Sequence, residues 1–547
     1  MKNPVLTLLF SFLASSVLAL QEPAVSTKDQ IRSILEYETP GDQLLISGRE
    51  LKTSSLIHSF YVDRNFEEVW TQNGVLLELA YEMRHEIKES KYDGLDPEDY
   101  ELNWIEAYFK TFETNKESKK TNEPGDLAAL DLLLTNAFFQ LSEDLEVGKI
   151  DPSQLKGEWE IERKGSRVDH FALLKKAVDE NEIRRNLQAL YPKFTIYKKS
   201  REVIRSLEQK SKEDSLDWKT LKLDKSIKVG DAHSSIPYLR QRLQFWGYLD
   251  SDPPIDPKTY DSLMFDGVVR FQEKHGMEPD GIIGKNTVIA LNASPSALID
   301  KARVNMERLR WLPDTVQNIE LIVVNIANFQ LDYMNNLDTL FSTRVIVGKR
   351  YHESPIFRAE MSYIVFSPYW NIPYSITKNE IIPAVRKNSN YLQNKNMEVI
   401  TTTGKSVNPS SIDWSSKSFP YLIRQKPGGS NSLGLVKFMF PNSYSVYIHD
   451  TPARSLFERE DRAMSHGCIR LQNPAAFAQL LLRDDPSWTP EKIDAAMHRD
   501  REQIVNLPRK IPVVLLYLTF WADSKGQPHF RQDIYNRDAE VLALLKK

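Results

Sequence analysis

Cysteine is almost absent from this sequence, which excludes a fold held together by internal disulfide bonds. The 547 residues contain one cysteine, Cys468. Stability must therefore come from burial of apolar side chains. A lone cysteine is an inert buried thiol, a reactive thiol or an intermolecular link, and the residues around Cys468 decide between these.

A surplus of charge of either sign is also missing. There are 71 basic and 75 acidic side chains, giving a net charge of −4. Because nucleic-acid binding needs a basic surplus or stripe, we expect no nucleic-acid partner. The hydrophobic fraction of 41% and the charged fraction of 27% are typical of a soluble globular protein.

Long apolar runs are missing except at the N-terminus. Lys2 precedes an apolar stretch over residues 4–20, and Val17-Leu18-Ala19 has the small-residue form of a cleavage site. This pattern predicts a signal peptide over residues 1–20. The alternative is an uncleaved membrane anchor, for which the run is short. Contact with a membrane is expected only in that case.

The length predicts about three domains. Apolar residues at three- and four-residue spacing predict a helical scaffold over residues 27–205. Its expected helical segments are 29–35, 66–70, 74–81 and 128–145, with a lysine-rich loop over 114–126. It carries no cluster typical of a catalytic site, and a charged linker follows over 207–227.

Residues 228–293 predict a compact three-helix unit. A first helix begins at Ile236 and leads to Gly247-Tyr248-Leu249, and a second runs over 263–275. Asp280-Gly281 then supplies a turn residue with positive φ before the third helix. With Gly-Tyr-Leu after helix one and Asp-Gly-x-x-Gly-x-x-Thr before helix three, the unit resembles a peptidoglycan-binding domain. The alternative is a spacer that binds nothing.

From residue 320 the pattern changes to strands. Segments 320–327, 329–333, 341–347, 359–366, 445–449 and 511–520 are rich in β-branched and aromatic residues, which favours β-structure. We predict a mostly β catalytic domain over 317–525 and a C-terminal tail over 526–547. The polar stretch 376–430 is too long for a simple loop, and we expect a capping insertion there. The fold class is thus α+β and multidomain.

The chemistry is concentrated around Cys468. His449 lies 19 positions upstream, and His466 lies two positions upstream within Ser465-His466-Gly467-Cys468-Ile469-Arg470. A thiol attacks an amide as thiolate, and a neighbouring imidazole can take its proton. Alternation in the predicted strand places Tyr447 and His449 on one face. Gly467 allows a tight turn that points backbone amides at a substrate carbonyl.

The sequence pattern of one histidine, fifteen further residues and then Ser-His-Gly-Cys-hydrophobic-Arg resembles the signature of the L,D-transpeptidase catalytic domain. This signature and the domain order together make the chain similar to the large Gram-negative L,D-transpeptidases. Those enzymes have a scaffold domain, a peptidoglycan-binding domain and a capped catalytic domain. The scaffold resemblance rests on residues 92–100 and 148–152. The resemblance implies a periplasmic enzyme whose partners are peptidoglycan stem tetrapeptides and glycan strands, with other cell-wall synthases as candidate partners.

The resemblance also implies residue roles. Cys468 is the nucleophile, His449 the general base, and a backbone carbonyl, assigned to Asp450, orients the imidazole. His466 and Gly467 belong to the oxyanion region. Expected substrate-binding residues are Tyr447, Arg470, Ser465, Asn371 and Tyr374. His466, Arg470 and Tyr447 each have a purely structural alternative.

The implied reaction needs neither a metal nor another cofactor. Cys468 attacks the carbonyl at the L-centre of the third stem residue, a diamino acid, and the terminal D-alanine leaves. A side-chain amine of a second stem then resolves the thioester as a 3→3 cross-link, and carbapenems are expected to acylate Cys468. The alternatives are an L,D-carboxypeptidase or endopeptidase, transfer to a lipoprotein lysine, or a non-catalytic wall-binding protein.

Overall fold

The computed structural model describes residues 25–37, 44–46, 48–155, 159–160, 165–251, 254, 256–312, 320–336, 338–416 and 418–547. The predicted signal peptide lies outside these ranges. Two compact units are present: one comprises residues 1–87, 100–140 and 171–184, and the other comprises 88–99, 141–170 and 185–547. No helix within the described ranges has the length and apolarity needed to cross a membrane.

The described residues from Thr27 to Glu213 are mainly helical. Their elements are α1 (Thr27–Tyr37), β1 (Leu45–Ile46), β2 (Arg49–Glu50), α2 (Ser54–Asp63), β3 (Thr71–Gln72), β4 (Val75–Leu76), α3 (Glu78–Glu89), α4 (Leu102–Glu117), α5 (Pro124–Val147), β5 (Trp159–Glu160), α6 (His170–Glu180), α7 (Ile183–Gln188) and α8 (Thr195–Glu213).

Two local predictions in this region were wrong. Residues 66–70 are not helical, because Asn65 and Phe66 have φ values of 52° and 61°, which end α2. Most of 114–126 is helical rather than loop, because α4 continues to Glu117 and α5 begins at Pro124. Proline at the first position of a helix loses no intrahelical hydrogen bond.

A buried carboxylate organises the core of the first unit. Asp131 of α5 is fully buried and accepts hydrogen bonds from the Val69 and Trp70 amides and from the Tyr61 hydroxyl. Burial raises the pKa of Asp131 to about 6. Because a buried polar group must be hydrogen-bonded, this carboxylate joins α5 to the segment that follows α2.

The three-helix unit has the predicted form and a core of its own. Its helices are α9 (Ile236–Phe245), α10 (Ser262–Lys274) and α11 (Lys285–Leu291). The Asp261 side chain caps α10 by accepting from the Met264 amide at 2.8 Å, as a helix N-terminus requires. Gly281 has φ +67°, as predicted for the turn.

The remaining elements form the β-rich region and its supports. They are α12 (Pro295–Trp311), β6 (Glu320–Asn325), β7 (Gln330–Asn335), β8 (Asp338–Gly348), β9 (Ile356–Phe366), β10 (Trp370–Asn371), α13 (Tyr374–Ile376), α14 (Ile382–Lys387), α15 (Tyr391–Asn394), β11 (Met397–Ile400), β12 (Ser406–Val407), β13 (Leu422–Gln425), β14 (Val436–Met439), β15 (Ile448–His449), β16 (Ala463–Ser465), β17 (Ile469–Leu471), α16 (Pro474–Leu481), α17 (Pro490–Met497), β18 (Gln503–Leu516), β19 (Phe520–Ala522), β20 (Pro528–Phe530) and α18 (Asp538–Leu545).

Eight of these strands close into a barrel. The order is β14-β15-β17-β8-β7-β6-β18-β9, and β9 pairs back with β14. Pairs β15–β17 and β18–β6 are parallel, and the other pairs along this path are antiparallel. Alternate residues such as Phe438, Ile448 and Ile469 are buried in the core, as barrel closure requires. The predicted α+β multidomain class is confirmed.

The expected insertion is a subdomain with its own sheet and core. Strands pair in the order β10-β13-β11-β12. Ile381, Val385, Leu392 and Val399 are among its buried apolar residues. The subdomain begins at β10, before residue 376, and so includes Asn371 and Tyr374.

Two predicted boundaries change. Only Ile448 and His449 of segment 445–449 form a strand, because Ser445 has φ 56°. Residues 526–547, expected as a tail, contain β20 and α18. Val541 and Leu545 of α18 are buried against Trp311 of α12, so this segment is part of the core.

Candidate active site

Strands β15 and β17 bring the predicted site residues to one face. They are parallel neighbours, with Ile448 paired to Ile469 and His449 to Arg470. Ile448 and Ile469 are fully buried in the barrel core. Because successive side chains alternate between the faces of a sheet, Tyr447, His449, Cys468 and Arg470 lie on the opposite, outer face.

The imidazole of His449 is held by backbone carbonyls. Its Nδ1 lies 2.5 Å from the Asp450 carbonyl oxygen, and the Leu433 carbonyl also contacts the ring. Because a carbonyl only accepts, Nδ1 carries the proton. Burial, together with the positive charge of Arg470, lowers the pKa of His449 to about 3. The ring is therefore neutral near pH 7, with an unprotonated Nε2.

The side chain of Asp450 fixes the turn that follows His449. Its carboxylate accepts from the Leu435 amide at 2.8 Å and the Thr451 amide at 2.7 Å. It also pairs with Arg454 at 2.5 Å. Burial raises the pKa of Asp450. Gly434 has φ +63°, and a side chain there would overlap the Asp450 carboxylate, so glycine is needed at this position.

The thiol of Cys468 is half-buried and lies beside Tyr447. The Tyr447 hydroxyl hydrogen-bonds the sulfur, and the Ser445 carbonyl oxygen is 4.0 Å from it. Burial raises the pKa of Cys468, whereas Tyr447 and Arg470 oppose this rise. The ring centroids of Tyr447 and His449 are 5.7 Å apart, so the tyrosine ring lies beside the imidazole.

Hydrogen bonds fix the backbone of residues 465–468, which carry the predicted nucleophile and are called the nucleophile loop below. Ser465 Oγ donates to the Cys468 carbonyl at 2.6 Å and accepts from the Gly467 amide at 3.1 Å. The Gly467 amide, expected to face the substrate, is therefore already engaged. The His466 and Cys468 amides donate to no acceptor in the described part of the chain. Gly467 has φ +112°, a region that favours glycine.

Residues far along the chain support this loop, and the sequence did not reveal them. Ser354 Oγ donates to the Gly467 carbonyl at 2.7 Å. Tyr535 accepts from the Ser354 amide at 3.3 Å and donates to the Gly348 carbonyl at 2.6 Å. Their sequence contexts carry no motif, so only the folded contacts connect them to Cys468.

Two cations lie on the outer face beside His449 and Cys468. Arg470 follows Cys468 by two residues, and burial lowers its pKa; its Nε has no hydrogen-bond partner in the part of the chain that the structure describes. Lys437 of β14 pairs in register with His449, and burial lowers its pKa as well. Lys437 was not predicted. The site therefore presents positive charge on both sides of the imidazole.

The His466 side chain contacts the capping subdomain. Its Nε2 lies 3.2 Å from Oε1 of Glu380, and its ring centroid is 5.5 Å from that of His352. Burial lowers the pKa of His466. Glu380 was not predicted. Asn371 and Tyr374 are exposed residues at the start of the subdomain.

Three family models match this chain. Residues 319–490 match the L,D-transpeptidase catalytic domain, residues 233–291 match the "Putative peptidoglycan binding domain", and residues 55–203 match the Scaffold domain. The chain therefore carries an L,D-transpeptidase catalytic domain behind a peptidoglycan-binding type of module. The scaffold match extends over parts of both compact units.

Individual proteins are similar over part of the chain. A "Putative L,D-transpeptidase" of Haemophilus influenzae is 34% identical over 248 residues, which are 45% of this chain and 50% of that protein. The chain thus spans about half the length of this curated relative.

Two solved L,D-transpeptidase structures also match. The one from Stackebrandtia nassauensis is 14% identical, covering 53% of this chain and 94% of that chain, with a TM-score of 0.21. The one from Xylanimonas cellulosilytica is 13% identical, covering 54% and 100%, with a TM-score of 0.17. Similarity at this level has no bearing on the activity.

Proposed function

We propose that this protein is a periplasmic L,D-transpeptidase that forms 3→3 cross-links between peptidoglycan stem peptides through a Cys468 thioester. The observation that carries the proposal is the shared outer face of β15 and β17. There a neutral imidazole, held by the Asp450 carbonyl, lies on the strand next to the nucleophile loop. A thiol with a positioned base is the arrangement that covalent acyl transfer requires.

The first half-reaction moves one proton and exchanges one bond. Nε2 of His449 takes the thiol proton as Sγ bonds to the carbonyl carbon of the diamino acid. The carbon–nitrogen bond to D-alanine then breaks, and the imidazolium gives its proton to the leaving amine. In the second half, the acceptor amine attacks the thioester and gives a proton to His449, which returns it to the sulfur.

Charge developed in each step is stabilised by groups that already face the site. The Cys468 and His466 amides have no acceptor in the described structure, and they are suited to the oxyanion of the tetrahedral intermediate. We assign the Gly467 amide to the loop instead, because Ser465 Oγ occupies it. Arg470 and Lys437 are assigned to the substrate carboxylate.

The cap contact supports a gating role for residues 376–430. Glu380 lies on this subdomain and meets His466 two residues before the nucleophile. Opening the contact frees the side of the loop that holds Cys468. We expect Glu380→Ala, which removes the acceptor of the His466 contact, to change KM for a stem peptide while leaving the alkylation rate of free Cys468 within about twofold, since an exposed polar contact contributes little. An unchanged KM would count against gating.

The proposal is tested with purified disaccharide-tetrapeptide, comparing the wild-type chain with Cys468→Ala and His449→Ala by mass spectrometry of the products. We expect a 3→3 dimer and free D-alanine from wild type alone. Tripeptide and D-alanine without dimer would assign the enzyme as a carboxypeptidase. If Cys468→Ala consumed the tetrapeptide as fast as wild type, the assignment of Cys468 as the nucleophile would be refuted. Adding a lysine-terminated peptide as acceptor tests the lipoprotein alternative.

A further inference from the structure

A cavity of about 330 Å³ lies between the peptidoglycan-binding type of module and the barrel. One wall is the segment after α10, including Glu278, and the other is formed by Asn328, Arg344, Arg462 and Gln472 of the barrel. Glu278 and Arg344 are exposed, so the cavity opens to solvent. None of these residues belongs to the proposed catalytic machinery.

Two guanidinium groups in this cavity, those of Arg462 and Arg531, have no carboxylate at ion-pair distance among the described residues. Arg531 donates to the Asn328 side chain at 2.6 Å and to two backbone carbonyls. Arg462 donates to the Arg459 carbonyl at 2.9 Å, and its Nε has no hydrogen-bond partner among the residues described. No carboxylate within the described ranges lies at ion-pair distance from either, whereas Arg344 pairs with Glu458 at 3.3 Å.

Burial of the Arg462 and Arg531 guanidinium groups is costly. Burial lowers the pKa of both Arg462 and Arg531 to about 10, because a low dielectric penalises the charged form. Two carboxylates, Glu278 and Glu460, also line the cavity, so three cations face two anions. The lining has a net positive charge and also offers acceptors for peptide N–H groups.

The cavity lies on the same barrel face as Cys468. On β17 and the residue after it, alternation places Cys468, Arg470 and Gln472 together. The Gln472 amide donates to the Arg344 carbonyl at 3.1 Å, and Arg470 pairs with Ile346, so Arg344 shares this face. Four residues along a strand span about 13 Å. The cavity is therefore too far to hold the group next to the reacting carbonyl, but a longer ligand reaches it.

We infer that this cavity binds a carboxylate of a second peptide stem on the same peptidoglycan strand that places a donor stem at Cys468. Arg462 and Arg531 recognise the carboxylate, Arg344 closes the cavity toward β17, and Glu278 accepts from a peptide amide. The cavity thus connects the binding module to the nucleophile and selects strands with adjacent stems. This inference rests on the proposed function, because it takes the substrate class from it.

The test measures binding by titration calorimetry in the full chain with Cys468→Ala, which prevents turnover. The probes are soluble glycan fragments bearing two tetrapeptides, and the same fragments with their carboxylates converted to carboxamides. We expect Arg462→Gln to weaken binding of the free-carboxylate fragment by about tenfold or more, since a hydrogen bond to a charged group is lost. The amidated fragment should bind the parent and Arg462→Gln with similar, weaker affinity.

Arg501→Gln is the matched control. Arg501 is an exposed arginine of the same barrel region, and its replacement should leave affinity unchanged. Arg344→Gln provides a second variant should Arg462→Gln fold poorly, as judged by its melting temperature. Equal affinity of Arg462→Gln and the parent would overturn the inference. So would inorganic phosphate or acetate binding as tightly as the fragment, which would mean a simple ion site.

Failure of the proposed function gives a different result. With Cys468 intact, absence of acyl-enzyme in every variant would refute the transpeptidase proposal. If the wild-type chain forms acyl-enzyme and Arg462→Gln, with Cys468 intact, has an unchanged KM for the two-stem fragment, only the cavity assignment is refuted.

Discussion

Replacing Tyr447 by phenylalanine removes the hydroxyl that hydrogen-bonds the Cys468 sulfur while the ring beside His449 is kept. A hydrogen bond to a charged group contributes about 1.5–3 kcal/mol. Because 1.36 kcal/mol corresponds to one pKa unit, the pKa of Cys468 should rise by roughly one to two units. The thiolate fraction at pH 7.5, and with it the alkylation rate, should fall roughly 10- to 100-fold.

The assay follows alkylation by iodoacetamide against pH. Cys468 is the only cysteine, so the whole-protein mass reports one site. Burial raises the pKa of Cys468 and lowers that of His449 to about 3. The free enzyme should therefore hold a neutral thiol and a neutral imidazole, and wild-type reactivity should keep rising above about pH 8.5.

Tyr363→Phe is the matched control, because Tyr363 lies on β9 of the same barrel and its hydroxyl donates no hydrogen bond among the described residues. It should react like wild type. If Tyr447→Phe and wild type had equal alkylation rates and equal pH midpoints, the Tyr447 hydroxyl would have no effect on the pKa of Cys468. A wild-type plateau below pH 7 would show a thiolate–imidazolium pair and refute the assigned protonation states.

Three further substitutions have expected outcomes. Gly434→Ala should displace the Asp450 carboxylate and cost about 2–4 kcal/mol, with acylation reduced; wild-type melting and acylation would contradict the overlap. Gly467→Ala should cost about 1–3 kcal/mol of backbone strain and slow acylation without raising the KM for a stem peptide, and an unaffected acylation rate would show that the loop tolerates a side chain. Asp131→Ala should reduce the free energy of unfolding by about 3 kcal/mol or more, because buried donors including the Tyr61 hydroxyl lose their acceptor. Scanning calorimetry should show a lower melting temperature, and an unchanged melting temperature would mean that the network is dispensable.

Local pattern predicted the parts of the site that lie close together in sequence. Alternation within the segment ending at His449 indicated that Tyr447 shares its face, and the ring centroids of these two residues lie 5.7 Å apart. The Asp-Gly turn at Gly281 and the second module helix also followed from local residue preferences. These features depend on a few consecutive residues, so sequence reasoning reaches them.

Features that depend on pairing between distant segments were not predictable. Lys437 reaches the site only because β14 pairs with β15, and Glu380 only because the cap folds over the nucleophile loop. Tyr535 was assigned to a tail, although it supports that loop through Ser354. Phe66 was predicted as helical because its neighbours have the right periodicity, but its positive φ ends the helix.

The most direct test of the central claim is the intact mass of the full chain trapped within seconds of mixing with disaccharide-tetrapeptide, followed by peptide mapping. The account predicts a mass increase equal to the substrate minus D-alanine, located on Cys468 and absent from Cys468→Ala and from His449→Ala at neutral pH. The matched variant His498→Ala, which alters an exposed histidine of the same region, should still form the adduct. An adduct on another residue, or turnover with no adduct at any time, would contradict a thioester at Cys468.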